Sequence, residues 1–394
     1  MMMPGPAASI ASPRRLKIVH VVVAGDIGGA ERFLIELSLR PTLSGADHCV
    51  ALMTPNPKLR ALFAAAGLSI RDRGPVRADP LAYLWRAFGP NDVAWLSRVL
   101  TAEAADIVHV HTYASHILGV RAAGRRHIPV LRTEHGIQHY LDPTCALFRR
   151  WALRQTDVVV GVSDYVARFV RQWAPEVARK VSVVRNGVDT TYFHPVDPPQ
   201  SRPFTFALVC RLEPWKQADI VIAAVARVPD IHVNIAGTGS AERRLREQAQ
   251  SLGIADRVTF LGYLADPRPV VAASHAAINS SRDEPLGLSV LEALAMQRPV
   301  VAFDGGGIPE IVRDGETGWL VRERSVAAFA AGLAAASRDP AHAAALGMNA
   351  RTFVEGHATI EDMCRGYGRA YAGLVGDPGR SALGDAGNEG RVIR

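Results

Sequence analysis

The sequence predicts an α/β protein built of two α/β/α lobes that face each other across a cleft. Short, β-branched apolar runs recur with helical periodicity between them, the alternation stops once at a Pro-rich stretch and restarts, and 394 residues suit two or three domains. Residues 17–25 (KIVHVVVAG) form the first run, nearly continuous and ending in glycine, as a strand buried on both faces of a parallel sheet requires. A turn on Gly28 and Gly29 leads into a helix carrying Phe33, Leu34, Leu37 and Leu39. Further strands are expected at 107–111, 130–133, 158–162 and 181–184, giving a first domain over 16–195. Residues 193–203 (FHPVDPPQSRP) hold four prolines in eleven positions and no periodicity, which marks 196–203 as a hinge. Strands resume at 204–210, 231–236, 258–261, 276–279 and 300–303 in a second domain, 204–360. Within it, 289–296 reads as a helix; a last helix follows over 361–374, and residues 1–15 and 376–394 are expected to be disordered.

Composition is that of an ordinary globular protein, 48% hydrophobic and 21% charged. The charge is uneven: residues 1–190 hold 24 Lys and Arg against 15 Asp and Glu, whereas residues 191–394 hold 21 against 23. The basic half is either a solvated surface or a face for an anionic partner, and a membrane surface or anionic lipid-linked substrate suits it better than nucleic acid. The four cysteines, Cys49, Cys145, Cys210 and Cys364, show neither zinc nor disulfide spacing. With no apolar core of signal-peptide length near the N-terminus, this points to the cytoplasm. The longest apolar stretch, 326–336, is too short to span a bilayer, so any membrane contact is peripheral, on the inner face.

Several chemistries are excluded. No lysine is followed by Ser or Thr, so there is no phosphate-binding GxxxxGK[ST] loop, and GTGSAE (237–242) lacks the third glycine of a dinucleotide fingerprint. No Asp-x-Asp pair is present to hold a metal on a nucleotide diphosphate. His109 and His111 share one face of a strand, but no third ligand is evident beside them, so no metal site is expected.

The positive signals lie at strand ends. Arg211 and Lys216 flank a loop beyond the carboxyl end of the strand at 204–210, where a guanidinium fork and an ammonium can neutralise a diphosphate. Glu284 and Glu292 bracket PLGLSVL, with Glu284 on a loop and Glu292 inside a helix. The amides of Leu288 and Ser289 would then point at the cleft as a phosphate-binding helix N-terminus. Gly28 and Gly29 offer the same geometry after the first strand, and His135 follows the strand at 130–133 at the expected cleft.

Taken in order, these segments resemble family 4 of the retaining, nucleotide-sugar-dependent glycosyltransferases, which have the two-lobed GT-B fold of Rossmann-like domains. The resemblance runs from Lys17 to about Tyr371 through GGAER (28–32), DIVHVH (106–111), TEHG (133–136), GVS (161–163), RNGVD (185–189), RLEPWK (211–216), IAGTG (235–239), FLG (260–262), EPLGLSVLE (284–292), EALAMQRPVV (292–301), GGIPE (306–310) and DGETGWL (314–320). It implies that Arg211 and Lys216 hold the donor diphosphate, Glu292 the ribose hydroxyls and Glu284 the transferred sugar, with the amides near Leu288 and Ser289 aiding the phosphates. By the same resemblance Gly28 and Gly29 approach the diphosphate from the other lobe, His135 touches the sugar near the reacting centre, Gly262 and Tyr263 lie close to the base, and the helix at 361–374 crosses back to the first lobe. Two positions depart from the family: Leu286 stands where Phe is frequent, and Gln297 where Gly is usual, which leaves room for a differently shaped turn.

The activity so implied is transfer of a hexose from a UDP- or GDP-linked sugar, with retention and with neither metal nor cofactor, to a lipid-linked or cell-envelope glycan. A nucleotide-sugar 2-epimerase and a non-catalytic nucleotide-sugar-binding protein share the architecture and remain the alternatives. An Arg-bearing aromatic helix near 148–154, with Arg149, Arg150 and Arg154 beside Phe148 and Trp151, is either a core helix or a rest for anionic headgroups.

Overall fold

The structure, a computed structural model, describes residues 14–24, 27–74, 88–200 and 202–376. The termini expected to be disordered lie outside these residues, apart from Arg14, Arg15 and Gly376; Arg14 donates to Asp106 at 2.9 Å.

Thirteen strands form two sheets among the described residues. The first contains β1 (Leu16–Val23), β2 (Ala46–Met53), β3 (Ser69–Asp72), β4 (Ile107–Val110), β5 (Val130–Glu134), β6 (Val158–Gly161) and β7 (Val181–Val183), in the order 3-2-1-4-5-6-7. The second contains β8 (Phe204–Val209), β9 (Ile231–Ala236), β10 (Val258–Gly262), β11 (Ala276–Asn279), β12 (Val300–Phe303) and β13 (Gly318–Val321), in the order 10-9-8-11-12-13. Every pairing is parallel. This is the two-lobed GT-B architecture. Three strands lie outside the expected set: β2 opens on Ala-Asp-His before its buried run from Cys49 to Met53, β3 is an exposed edge and β13 is four residues long.

Strand order reverses between β1 and β4 in one sheet and between β8 and β11 in the other, and the crevice outside such a reversal is where open parallel sheets bind ligands. Each sheet is packed on both faces. Ile18, Val22, Val50 and Leu52 meet the Gly29–Ser38 helix and the terminal Ile360–Gly376 helix, which contributes Met363, Tyr367 and Tyr371 to the core of the first lobe. Phe204, Phe206 and Ile235 meet the Ala218–Val225 and Val326–Arg338 helices in the second lobe.

The chain crosses between lobes earlier than the Pro-rich run. Val184 belongs to the first core and Val188 to the second. Val188 donates to Ala358 O at 3.0 Å and accepts from Ile360 N at 3.0 Å, so outgoing and returning segments cross side by side. A β-carbon on Gly187 would overlap the Thr359 carbonyl, so this crossing needs glycine. Residues beyond it are already tied to the second lobe: Arg351 donates to Thr190 O and Phe193 O at 3.0 and 2.8 Å, and the fully buried Arg298 donates to Val196 O at 2.9 Å and Asp197 O at 3.3 Å. The hinge expected at 196–203 is thereby replaced by the paired crossing near Gly187 and Thr359.

Candidate active site

The Arg211–Lys216 loop leaves β8 at the strand-order reversal and ends in a short turn over Pro214–Lys216. Lys216 Nζ donates to Glu284 Oε2 at 2.6 Å, and Asn279 Nδ2, at the end of β11, reaches the same oxygen at 3.5 Å. The loop bearing Glu284 is gripped from behind, because β-carbons on Gly306 and Gly307 would overlap the carbonyls of Glu284 and Pro285. Burial works against ionisation of Glu284, but Lys216 and these hydrogen bonds outweigh it and hold the carboxyl below its usual range. Arg211 is exposed, lies 5.6 Å over the Trp215 ring and makes no ion pair among the described residues. Burial pushes the Cys210 thiol beside it up to about 12.

Above this pair two helix N-termini converge. Gly28 precedes the Gly29–Ser38 helix, and Gly287, with φ of 98°, precedes the Leu288–Ala295 helix. A β-carbon on Gly29 would stand 3.3 Å from Leu288 Cδ1, so the lobes touch there. The first amides with a helical partner are those of Val290 and Leu291, both bonded to Gly287 O; those of Leu288 and Ser289 precede the ladder. Gly28 N donates to Glu31 Oε2 at 2.9 Å, a capping contact from its own helix. Glu292, in the second helix, is buried, which raises its pKa, and its nearest cation is Arg32 of the first lobe at 3.7 Å. Gly262 ends β10 and Tyr263 follows it at the sheet edge, two strands from the reversal, with Tyr263 57% exposed.

His135 follows β5, half-buried, with its ring 5.0 Å from Phe33. The adjoining Gly136 would bring a β-carbon to 3.9 Å from Pro285 of the second lobe. Burial is the main cause that lowers the His135 pKa to about 3; Arg132 adds to it and Glu134 opposes it. The ring is thus neutral at physiological pH and can donate or accept a hydrogen bond without carrying charge.

Residues of the matching segments to which the sequence assigned no role complete the cleft. Ser163 Oγ donates to Pro285 O at 2.6 Å. Glu310 accepts from the Asp164 and Tyr165 amides at 2.9 and 2.6 Å, so a carboxylate of the second lobe caps the Asp164–Trp173 helix of the first. Nothing in local spacing reveals Arg32 opposite Glu292, or Glu310 as a cap. A third histidine, His20, does lie beside His109 and His111, brought there by strand register alone. Gln297 takes φ of 59°, in the left-handed region that favours glycine.

The arginine-bearing helix spans Ala146–Arg154. Arg149 is buried, donates to His139 O at 2.7 Å and lies 4.8 Å over the Tyr140 ring, while Arg150 pairs with Glu176 at 3.0 Å. What the helix exposes is apolar as much as basic: Leu147, Phe148 and Trp151.

Comparison with known proteins agrees with this architecture. Residues 27–192 match the family described as Glycosyltransferase Family 4, and residues 191–353 match Glycosyl transferases group 1. A D-inositol 3-phosphate glycosyltransferase of Mycolicibacterium paratuberculosis (strain ATCC BAA-968 / K-10) is 31% identical over 91% of this chain and 91% of its own. Among solved structures, Anabaena Alr3699/HepE in complex with UDP and glucose superposes with a TM-score of 0.79 at 21% identity, covering 91% of this chain and 100% of that one. Sucrose-phosphate synthase from Thermosynechococcus elongatus gives 0.80 at 22% identity, covering 92% and 100%.

Proposed function

The chain belongs to the family 4, group 1 glycosyltransferases of GT-B fold, and from that premise we propose that it transfers a hexose from UDP-hexose, with retention and without a metal ion or cofactor, to an anionic acceptor. The observation that carries this reading is the stack of positive features at the strand-order reversals: Lys216 and Arg211 on one loop, beneath two helix N-termini that meet at Gly29 and Leu288. A diphosphate placed there competes with Glu284 for the Lys216 ammonium. The carboxylate so released is free to accept hydrogen bonds from sugar hydroxyls, while the amides of Leu288 and Ser289 face the phosphates.

Breaking the anomeric C–O bond leaves oxocarbenium character on the sugar and charge on the departing diphosphate, and Arg211, Lys216 and the helix N-termini stabilise that charge. Retention follows from front-face attack: the acceptor hydroxyl oxygen bonds to the anomeric carbon as the phosphate leaves, and its proton passes to the leaving phosphate oxygen. Glu292 holds the ribose hydroxyls and Tyr263 with Gly262 the base. His135 donates to the sugar. UDP is favoured over GDP because a structural neighbour is recorded with UDP and glucose.

The basic first half and the exposed Leu147, Phe148 and Trp151 support, as the acceptor, a lipid-linked glycan of the cell envelope, reached by peripheral contact with the inner membrane face. A phosphorylated cyclitol is the second reading, favoured by the relative named for D-inositol 3-phosphate. Transfer assays with UDP-hexoses, in EDTA, against lipid-linked acceptors and inositol 3-phosphate test this reading. Turnover of donor alone to its 2-epimer, or loss of transfer on chelation with recovery on adding a divalent ion, would contradict it.

A further inference from the structure

Five histidines occupy one face of the first sheet. His20 sits on β1, His48 on β2, His109 on β4, His111 just past β4, and His135 just past β5; β1–β4 register sets His20 directly opposite His109. Phe33 covers this face from the Gly29–Ser38 helix, and Tyr367 and Tyr371 cover it from the terminal helix.

Four of the rings are joined in series. Ser44 Oγ lies 2.9 Å from His48 Nε2, His48 Nδ1 lies 2.8 Å from His20 Nε2, His20 Nδ1 lies 3.0 Å from His111 Nε2, and His111 Nδ1 lies 3.2 Å from His135 Nε2. His109 stands outside the series, with Nδ1 2.8 Å from the Tyr371 hydroxyl and Nε2 2.7 Å from Thr133 Oγ1. His20, His109 and His111 bring nitrogens within 4.8 Å of one another, a spacing that could hold a metal ion. Both nitrogens of each ring are already hydrogen-bonded, so the cluster is a network of satisfied donors and acceptors.

Burial keeps all of these rings neutral. The charged groups facing them are Asp47 and Lys17 at His48, Arg132 at His111, and Glu134 and Arg132 at His135; His20 faces only other imidazoles. A neutral imidazole has one N–H and one lone pair, so each junction in the series needs one of each and every proton must sit on the same side. The proton position at one end therefore sets that at the other. Ser44 chooses the direction. Its hydroxyl finds carbonyl acceptors only at 3.4 to 3.5 Å, whereas His48 Nε2 is at 2.9 Å, so the hydroxyl donates to His48. His48 then donates from Nδ1, His20 from Nδ1 and His111 from Nδ1, and His135 accepts at Nε2.

We propose that Ser44, His48, His20 and His111 are positioning residues, a hydrogen-bonded wire that holds His135 as the Nδ1–H tautomer and so presents a donor, not a lone pair, to the oxygen atoms of the sugar nucleotide in the cleft. The role of that donor rests on the transferase reading; the tautomer does not.

The test is long-range 1H–15N spectroscopy of the intact, 15N-histidine-labelled protein between pH 6 and 8, with donor kinetics on the same samples. His135 is expected as a single Nδ1–H tautomer in the unaltered protein. Ser44→Ala removes the hydroxyl that sets the direction, and His20→Phe severs the series; each should give His135 in mixed tautomers with kcat lower by several-fold and little change in the donor KM. His20→Gln, whose amide both donates and accepts, should restore a single tautomer and most of kcat. An Nε2–H tautomer in the unaltered protein, an unchanged His135 in both Ser44→Ala and His20→Phe, or uptake of one zinc ion with loss of the His20, His109 and His111 signals would overturn the proposal. Should transfer be absent while the tautomers behave as described, the wire stands and the reading of the cleft falls.

Discussion

Gln297 shows how a single residue records the geometry its position demands. Its φ of 59° is a conformation that costs an ordinary side chain about 1–2 kcal/mol, and Gly347 packs so closely that a β-carbon there would overlap the Gln297 carbonyl. Gln297→Gly relieves that strain but loosens the unfolded chain, so a net gain of about 0.5–1 kcal/mol is expected in chemical denaturation; a destabilised variant would mean the side chain carries a contact of its own. His135 makes a second residue-level prediction. With its pKa lowered to about 3, chiefly by burial, the ring does not titrate near neutrality, so kcat for transfer should show no imidazole inflection between pH 5 and 8. At this scale the sequence located residues that share one loop, as Arg211 and Lys216 do, and was opaque where contacts span the cleft. Arg32 reaches Glu292, and Glu310 caps the Asp164–Trp173 helix, only because the lobes meet.

The elements were legible where their pattern is continuous or regular. β1 and β8 carry near-continuous apolar runs, β9 alternates buried with half-buried residues, and all three fall within a residue or two of their expected bounds among the described residues, whereas β2 starts on polar residues before its buried run and β3 is an exposed edge. His20, His48 and His109 sit on separate strands, so their polar layer exists only once register is set. That layer has a thermodynamic consequence. Burial lowers the pKa of His48 to about 4 and that of His135 to about 3, and pushes those of His20, His109, His111 and His116 down as well. Between the ordinary histidine pKa near 6.5 and these folded values, the unfolded chain binds more protons than the native one, so stability is complete above about pH 6.5 and is lost as pH falls. Each ring contributes a slope of up to about 1.4 kcal/mol per pH unit, and thermal melts from pH 7 to 5 should show a steep fall; a flat profile would contradict neutral buried imidazoles. At the lobe crossing, Gly187→Ala drives a methyl group into the Thr359 carbonyl, for an expected loss of about 1–3 kcal/mol in denaturant unfolding.

At the scale of the whole molecule the two-lobe plan was readable from alternation and one interruption, but the place of the crossing was not. Four prolines are a conspicuous local signal, whereas the Val188–Ala358 and Ile360–Val188 hydrogen bonds join segments remote in sequence. The charge asymmetry also changes meaning. The second half is near neutral in total, yet it places Lys216, Arg211 and a helix N-terminus at one strand-order reversal, so its net charge says little about its site. The basic first half faces that site, with part of its positive charge spent on internal contacts such as Arg150 with Glu176. The proposed function makes one requirement of both lobes, a diphosphate between Gly29, Leu288 and Lys216. Calorimetric titration of UDP into the unaltered protein, Lys216→Ala and Arg211→Ala measures it directly. Each loss of a charge-assisted contact should weaken UDP binding by about 10- to 100-fold without loss of folding; equal affinity in all three proteins would place the diphosphate elsewhere.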